Sequence, residues 1–520
     1  MLFNSYVFVV LFLPITVTAF YLLRNTGRHA SVVVLILASL FFYGYWRIDY
    51  VPLIVISVLV NFGCGLAIAS LRMSNPSSAK IVLALGISAN ILCIAYFKYA
   101  NFFVDNLNSI TGADVRLGSI ILPLAISFFT FQQVAYLVDV YRNEARETNF
   151  LRYALFVLFF PQLIAGPIVH HKEMMPQFAR RILDSARAEN ITIGVTIFVI
   201  GLSKKVLIAD TVAEFSTPVF VIAEQGGSID FYSAWTAALS YTFQIYFDFS
   251  GYSDMAVGAA RLFGIRLPMN FYSPYRTTSI IDFWRTWHMT LSRFLRDYLY
   301  IPIGGGRKGP YRRVLNILVT MLLGGLWHGA GWTFMVWGGL HGVYLIVNHI
   351  WRELPFAQIK NTNGFNAALL RQFYRIITFL SVVVAWVFFR AETFDGATRI
   401  LRGMVAIDGI KIPTGVFRHL PTDLQEKFIE LGITSINQSS WPIILLPTLL
   451  LVVWMLPNTY EFLRRYQPVI PDARIDFGDN SVLATTWKFT PAWAIVFGVV
   501  ASICLFAMLS ASQEFLYYNF

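Results

Sequence analysis

Eight histidines are spread along the 520 residues, and two of them stand in settings that invite chemistry. His328 lies in Gly324-Gly-Leu-Trp-His-Gly-Ala-Gly-Trp332, inside an apolar stretch that begins near Leu315. A helix running from Leu315 carries His328 roughly 20 Å inward, well into a hydrocarbon layer about 30 Å thick. An ionisable side chain at such depth is expensive and marks a functional site; the alternative is a neutral histidine bridging two helices. Gly324, Gly325, Gly329 and Gly331 let a ligand or another helix approach closely. His288 follows Trp284, Arg285 and Trp287. An imidazole kept out of water stays in its neutral, basic form. Such a base takes the proton of a hydroxyl as the oxygen attacks a thioester carbonyl, a contribution of roughly 10²–10⁴-fold. A dry tunnel also shields a thioester from hydrolysis. His341, in Gly338-Gly-Leu-His-Gly342, repeats the glycine-rich pattern and is assigned to helix packing. His29, His170, His171, His349 and His419 fall in loops or at span ends, where an ordinary polar role is expected.

The region from Asp254 to Arg313 holds ten Lys or Arg against Asp254, Asp282 and Asp297, with aromatics interleaved as in Asp282-Phe-Trp-Arg-Thr-Trp-His288. It reads either as an interfacial amphipathic segment on anionic lipid or as a basic mouth that receives an anionic donor such as a coenzyme thioester. The two readings are compatible. Arg285, Arg293 and Arg296 are candidates to contact the donor, or else to hold the charged mouth together. Asp254 and Asp297 either orient histidines or pair with arginines, and pairing is favoured. Asp297 lies nine residues past His288, so the two do not share a helical face at adjacent turns. Trp327, beside His328, completes the candidate substrate-binding set.

Other chemistries lack their signatures. There is no Gly-x-Ser-x-Gly elbow, no His-Glu-x-x-His and no carboxylate or histidine cluster at metal-ligand spacing. Gly304-Gly-Gly306-Arg-Lys308 lacks the spacing and the Ser or Thr of a nucleotide-binding loop. Cys64, Cys93 and Cys504 all sit in apolar stretches without CxxC spacing, so neither a disulfide framework nor a thiolate metal site is expected.

The elements that must hold these residues are membrane helices. Hydrophobic residues make up 57% of the chain and charged residues only 13%, about half the share of a soluble domain. So little charge cannot cover a water-facing surface. Candidate spans are Tyr6–Leu23, Ser31–Trp46, Val51–Leu71, Ile81–Phe97, Ile120–Val140, Ile191–Ile208, Phe231–Phe249, Leu315–Trp337, Phe373–Phe389, Trp441–Leu456 and Pro491–Leu509. The first is not followed by a small-residue cleavage site and reads as a retained span. The fold class is therefore all-α, a polytopic helical membrane protein of about eleven spans in one domain over 1–520, with 254–350 carrying the chemistry. No internal repeat suggests an inverted-repeat transporter.

Loop charges orient the spans. Arg24 and Arg28 follow the first, Arg72 and Lys80 the third, and Arg142, Arg146 and Arg152 the fifth. The intervening loops balance Arg47 with Asp49, and Lys98 and Arg116 with Asp105 and Asp114. The positive-inside rule then places the N-terminus outside the cytoplasm and the basic loops within. The same rule accounts for the net charge of +11 without invoking nucleic acid. The apolar stretch Tyr153–Val169 conflicts with this pattern, because Arg142, Arg146 and Arg152 precede it while Lys172, Arg180, Arg181 and Arg187 follow. It also contains Pro161, Gly166 and Pro167. A re-entrant segment resolves the conflict, since broken backbone at membrane depth is tolerated where it is buried in protein or lines a cavity.

Several long strings, in order, resemble the membrane-bound O-acyltransferase family, in particular the branch that contains the alginate O-acetylation membrane protein. They are Phe97-Lys-Tyr-Ala-Asn-Phe102, Phe160-Pro-Gln-Leu-Ile-Ala-Gly-Pro167, Tyr246-Phe-Asp-Phe-Ser-Gly-Tyr-Ser-Asp254, Asp282-Phe-Trp-Arg-Thr-Trp-His288, Leu295-Arg-Asp-Tyr-Leu-Tyr300, Leu326-Trp-His-Gly329 and Phe515-Leu-Tyr-Tyr-Asn-Phe520. The stretch Ile301-Pro-Ile-Gly-Gly-Gly-Arg307 looks more like the polysaccharide-acetylating branch than the D-alanine branch. The resemblance implies a helical funnel through a bacterial inner membrane, with re-entrant segments and histidines near its constriction. His328 matches the family's catalytic histidine and His288 its second functional histidine. It further implies acetyl-CoA or another acyl thioester as a cytoplasmic donor substrate, with no bound cofactor or metal. The acceptor is expected to be an alginate- or cellulose-like polysaccharide, or an extracytoplasmic transferase that receives the acetyl group. The rival readings are a flippase or transporter of a polar or lipid-linked solute, and a D-alanyl or lipid acyltransferase of the same family.

Overall fold

The computed structural model describes residues 1–509 apart from 24–25, 27–28, 119, 180–186, 355–364 and 473–485. Arg24, Arg28, Arg180, Arg181 and the string Phe515–Phe520 lie outside the described residues.

Two apolar helices, α1 (Val7–Leu23) and α2 (Ala30–Gly44), open the chain. They lead into α3 (Val51–Ser74) and α4 (Pro76–Thr111). Asn75 begins α4 by accepting the Ser78 amide, with Pro76 preset in the first turn. Helix α4 does not stop at Phe97. It passes through a π turn at Ala95–Tyr99 and continues as an amphipathic helix to Thr111. Lys98 and Asp105, counted above as loop charges, are therefore helical. A further helix, α5 (Ile126–Tyr141), starts six residues later than the expected span and packs on α3 and α4.

The stretch expected to re-enter the membrane is broken. It contains α6 (Phe150–Leu158), a single turn at Phe160–Leu163, and an irregular segment that ends where α7 (His171–Ala179) begins. Residues 153–169 are buried throughout. This is irregular backbone enclosed in protein, the setting in which it is tolerated.

Helices α8 (Arg187–Glu224) and α9 (Phe231–Leu262) form the central pair. Nearly every residue of α9 is buried, on all faces, which makes it the pillar around which the others stand. Their approach is set by glycine. A Cβ on Gly201 would meet the Gly251 carbonyl and one on Gly258 the Gly194 carbonyl, so the backbones touch. Polar groups lock the pair. Lys205 Nζ lies 2.7 Å from Asp210 and 2.8 Å from Asp248, and Lys204 Nζ lies 2.6 Å from Asp254.

Short helices α10 (Ile280–Thr286) and α11 (Met289–Leu295) follow, then α12 (Gly309–His328) and α13 (Trp332–Glu353). The expected span Leu315–Trp337 is thus two antiparallel helices, with the backbone extended at Gly329 and Gly331 between them. The sequence shows an unbroken apolar run because both sides of the break face other helices. At their crossing, a Cβ on Gly325 would run into the Phe334 carbonyl, and one on Gly338 into the Met321 carbonyl.

The chain ends with α14 (Phe365–Arg390), α15 (Phe394–Met404), α16 (Thr422–Glu430), α17 (Pro442–Met455) and α18 (Pro491–Ala507). Between α15 and α17, two three-residue strands, β1 (Lys411–Pro413) and β2 (Thr434–Ile436), pair in parallel with Ile412 opposite Ser435. They are a small exception to an otherwise helical fold. Among the described residues, four helices are long and apolar enough to cross a membrane, and four shorter apolar helices accompany them. Exposed leucines, isoleucines and phenylalanines such as Leu37, Phe41, Leu85, Leu92 and Phe506 cover the exterior. A surface of this kind is stable against lipid. The protein is a multi-pass membrane protein.

Candidate active site

The site gathers where α11, α12, α13 and α9 converge. His288 is the residue that starts α11: its carbonyl accepts the Ser292 amide, the first bond of that helix. Its backbone is left-handed, at φ 40° and ψ 52°. For a residue with a Cβ this conformation costs about 1–3 kcal/mol and persists only where surroundings enforce it. Here the Met289 amide is held by the Asn270 carbonyl at 2.9 Å.

Asn270 also fixes the imidazole. Its Oδ1 accepts from the Thr290 hydroxyl at 2.9 Å and faces the Thr290 amide at 3.4 Å. A backbone N–H can only donate, so the atom facing it is the amide oxygen. His288 Nδ1, 3.1 Å from that oxygen, must therefore carry the proton and donate. The other nitrogen, Nε2, is left with a bare lone pair, buried and without a hydrogen-bond partner among the described residues. The anchor reaches further. Asn270 Nδ2 donates to Ser253 on α9 at 3.2 Å, and the Ile168 amide, in the broken segment, donates to the Thr290 hydroxyl at 3.0 Å.

His328 is the last residue of α12, not a mid-helix residue. The depth estimate from Leu315 assumed a helix continuing to Trp337; the break places His328 at the far end of a helix of 20 residues, roughly 30 Å long. Its ring centroid lies 6.5 Å from that of His288. Trp327 at 4.8 Å, Trp337 at 5.0 Å and Phe389 at 5.2 Å wall it in. Trp327 in turn lies 6.2 Å from His288 and stacks on Phe131 at 5.2 Å. Both histidines are buried. The two imidazoles, on different helices, share one buried aromatic cluster.

His341 stands one aromatic layer away. Trp284 Nε1 donates to its Nδ1 at 3.3 Å, and Phe283, Trp284, Trp337, Tyr344 and Trp386 surround the ring. The packing role expected of it is the one its contacts describe.

The charged candidates pair with one another or with other charged groups rather than with the two histidines. Arg293 makes a two-pronged pair with Glu173 at 2.5 and 3.0 Å. Arg296 pairs with the adjacent Asp297 at 2.7 Å, and exposed Arg285 with Asp282 at 3.1 Å. Asp254 accepts from Lys204 and from Thr459, each at 2.6 Å. Asp254 and Asp297 thus sit in ion pairs, and neither holds a histidine. Arg293 does line a pocket with Glu173, Pro268, Met269, Met289 and Thr290, immediately behind His288. His170 is more than a loop residue: with Asp139 at 2.8 Å it brackets the Tyr298 hydroxyl, its own Nδ1 at 3.2 Å.

Residues missed in the sequence include Asn270 and Thr290, which bear no local signal of their role, and Ser253, which lies in the quoted string Tyr246–Asp254. Lys98 and Tyr99 were also missed, although they lie in the quoted string Phe97–Phe102. They reach the carbonyls that end α12.

The membrane-bound O-acyltransferase family profile matches residues 141–389, which include the broken segment, both histidines and the helices that carry them. The peptidoglycan O-acetyltransferase of Helicobacter pylori is 43% identical over 440 residues, covering 79% of this chain and 81% of that protein. This chain belongs to the membrane-bound O-acyltransferase family. It is an acyltransferase. The probable alginate O-acetylase AlgI of Pseudomonas aeruginosa is 41% identical over 411 residues, covering 78% of this chain and 75% of its own. A teichoic acid D-alanyltransferase of Streptococcus thermophilus is more distant, at 26% over 237 residues and 44% of this chain. Within the family, the pattern of identity thus favours the acetylating relatives over the D-alanylating one.

Proposed function

We propose that this acyltransferase passes an acetyl group from a cytoplasmic thioester, acetyl-CoA, to a glycan hydroxyl beyond a bacterial inner membrane, directly or through an extracytoplasmic transferase. The whole chain acts as one domain, with residues 254–350 carrying the chemistry. The observation that carries the reading is the pairing of His288 and His328 in one buried aromatic cluster, 6.5 Å apart by ring centroid. The acetyl-transferring relatives, one named for peptidoglycan and one for alginate, support acetyl as the group and a glycan as the acceptor.

In the proposed step the acceptor oxygen attacks the thioester carbonyl carbon. A C–O bond forms, the C–S bond breaks, and the hydroxyl proton passes through imidazole to the departing thiolate. His328 serves as general base. His288, whose neutral tautomer presents a lone pair at Nε2, suits a second base or relay; in that form it has no proton to offer an oxyanion from Nε2. The apolar walls of Trp327, Trp337 and Phe389 exclude water from the thioester.

The test is release of free CoA and transfer of radiolabel by purified protein given labelled acetyl-CoA. His328→Ala and His288→Ala should each lower turnover by roughly 10²–10⁴-fold while the protein stays monodisperse. Wild-type turnover in His328→Ala would refute the assignment. Solute uptake into proteoliposomes with no thioester cleavage would overturn the reaction itself.

A further inference from the structure

The end of α12 has an unusual problem. The last four carbonyls of a helix have no partner within it, and here that end is packed inside the protein. The common solution, a left-handed glycine that folds the chain back onto those carbonyls, is not used, because Gly329 is extended at φ −156° and ψ 148°. The partners come from α4 instead. Lys98 Nζ donates to the Trp327 carbonyl at 2.5 Å and to the His328 carbonyl at 3.0 Å. The Tyr99 hydroxyl donates to the Leu326 carbonyl at 2.8 Å. Three consecutive carbonyls, ending with that of His328, are therefore held by two adjacent side chains.

Adjacent residues on a regular helix diverge by about 100°. Lys98 and Tyr99 lie in the π turn Ala95–Tyr99, a local widening of the helix of the kind often found at functional sites. The ammonium also faces the negative end of the α12 dipole and lies 5.9 Å from the centre of the Trp327 ring, which flanks His328. Farther along the same face of α4, Asn106 Oδ1 accepts from Trp332 Nε1 at 2.9 Å, and Phe102 packs on the Trp332 ring at 5.9 Å. Trp332 is the first residue of α13. Lys98, Phe102 and Asn106, at a spacing of four, grip both sides of the break that carries His328.

We infer that Lys98 is a positioning residue for acyl transfer: its ammonium fixes the backbone of His328, and so the reach of the imidazole, by bridging the last two carbonyls of α12. The inference rests on the role assigned to His328 above. The α12–α13 crossing has its own contact at Gly325 and Gly338, so assembly of the hairpin does not depend on the ammonium, whereas the geometry of the break does. Arginine keeps the charge and the donors. Methionine keeps the length and apolar bulk but loses both.

The experiment compares wild type, Lys98→Met, Lys98→Arg and His328→Ala in acetyl-CoA turnover and in melting temperature, all in the same detergent. Lys98→Met should lower kcat by roughly 10- to 100-fold, the weight of a charged hydrogen bond, with the donor KM unchanged. It also leaves two buried carbonyls unpaired and so lowers the melting temperature, and every variant is assayed well below its own melting temperature. Lys98→Arg should recover most of that loss. A wild-type kcat in Lys98→Met, no recovery of kcat in Lys98→Arg, or a loss of kcat in Lys98→Met that accompanies loss of the monodisperse folded protein at the assay temperature would each overturn the inference. If His328→Ala itself turns over at the wild-type rate, the inference falls with the assignment of His328; if His328→Ala is inactive while Lys98→Met is wild type, the clamp alone is wrong.

Discussion

A neutral imidazole can accept a proton only at its unprotonated nitrogen, and in His288 that nitrogen is chosen by its neighbours. The Thr290 amide fixes which end of Asn270 is oxygen, Asn270 fixes the proton on Nδ1, and Nε2 is left bare. The left-handed backbone of His288 shows the same priority: about 1–3 kcal/mol of local strain is accepted to aim one ring. Replacing Asn270 with Ala should remove the anchor and strand the Nδ1 proton. Turnover is expected to fall about tenfold, in line with the cost of an unmet buried donor, while the KM for acetyl-CoA holds. Steady-state CoA release measures both, and an unaltered kcat would remove Asn270 from the account. Only the identity of the two histidines is legible at this scale. Asn270, 18 residues before His288, becomes its partner only because the irregular chain after α9 turns back onto α11.

Elements decide how close these groups come. The α12–α13 hairpin brings Trp337 and His328 into ring contact because its two helices cross at glycines with backbone touching backbone. Gly325→Leu or Gly338→Leu should push the helices apart and destabilise the protein by about 2 kcal/mol, as overpacking does. Gly339→Ala is the control. A Cβ there meets only Leu322 Cδ2 at 3.5 Å, an ordinary contact, so the melting temperature should hold. Thermal unfolding in detergent distinguishes them, and equal effects at all three positions would refute the crossing. Apolar runs located most of these helices but not their ends. Hydropathy reports what a segment is buried in, not whether its backbone is continuous, so the break at Gly329–Gly331 and the continuation of α4 past Phe97 were both hidden.

Across the whole molecule, charge is divided by face. Residues 391–440, which hold α15, α16 and the strand pair, carry five Lys or Arg against six Asp or Glu, whereas residues 254–313 carry ten against three. The positive-inside rule puts the basic region in the cytoplasm; on that proposal residues 391–440 lie on the opposite side, and α12 runs from the basic side toward them. Cysteine labelling tests the arrangement in a variant lacking Cys64, Cys93 and Cys504. In intact spheroplasts a membrane-impermeant maleimide should label Lys427→Cys, and should reach Lys308→Cys only after permeabilisation. The reverse pattern would invert the orientation and, with it, the sides from which donor and acceptor arrive.

Composition and order of residues determined by themselves that this chain is a helical membrane protein, because a surface with so little charge is stable only against lipid. Rare strings such as Leu326-Trp-His-Gly329 determined its family. Those properties are sums or local patterns, and a linear chain carries them in full. Tertiary structure decided which groups meet. The meeting of His288 with His328, the pairing of Arg293 with Glu173, and the passage of Lys98 from a supposed loop to the end of α12 each depend on contacts between segments distant in sequence. Such contacts are fixed by how helices pack and where they break, which residue types at local spacing do not encode.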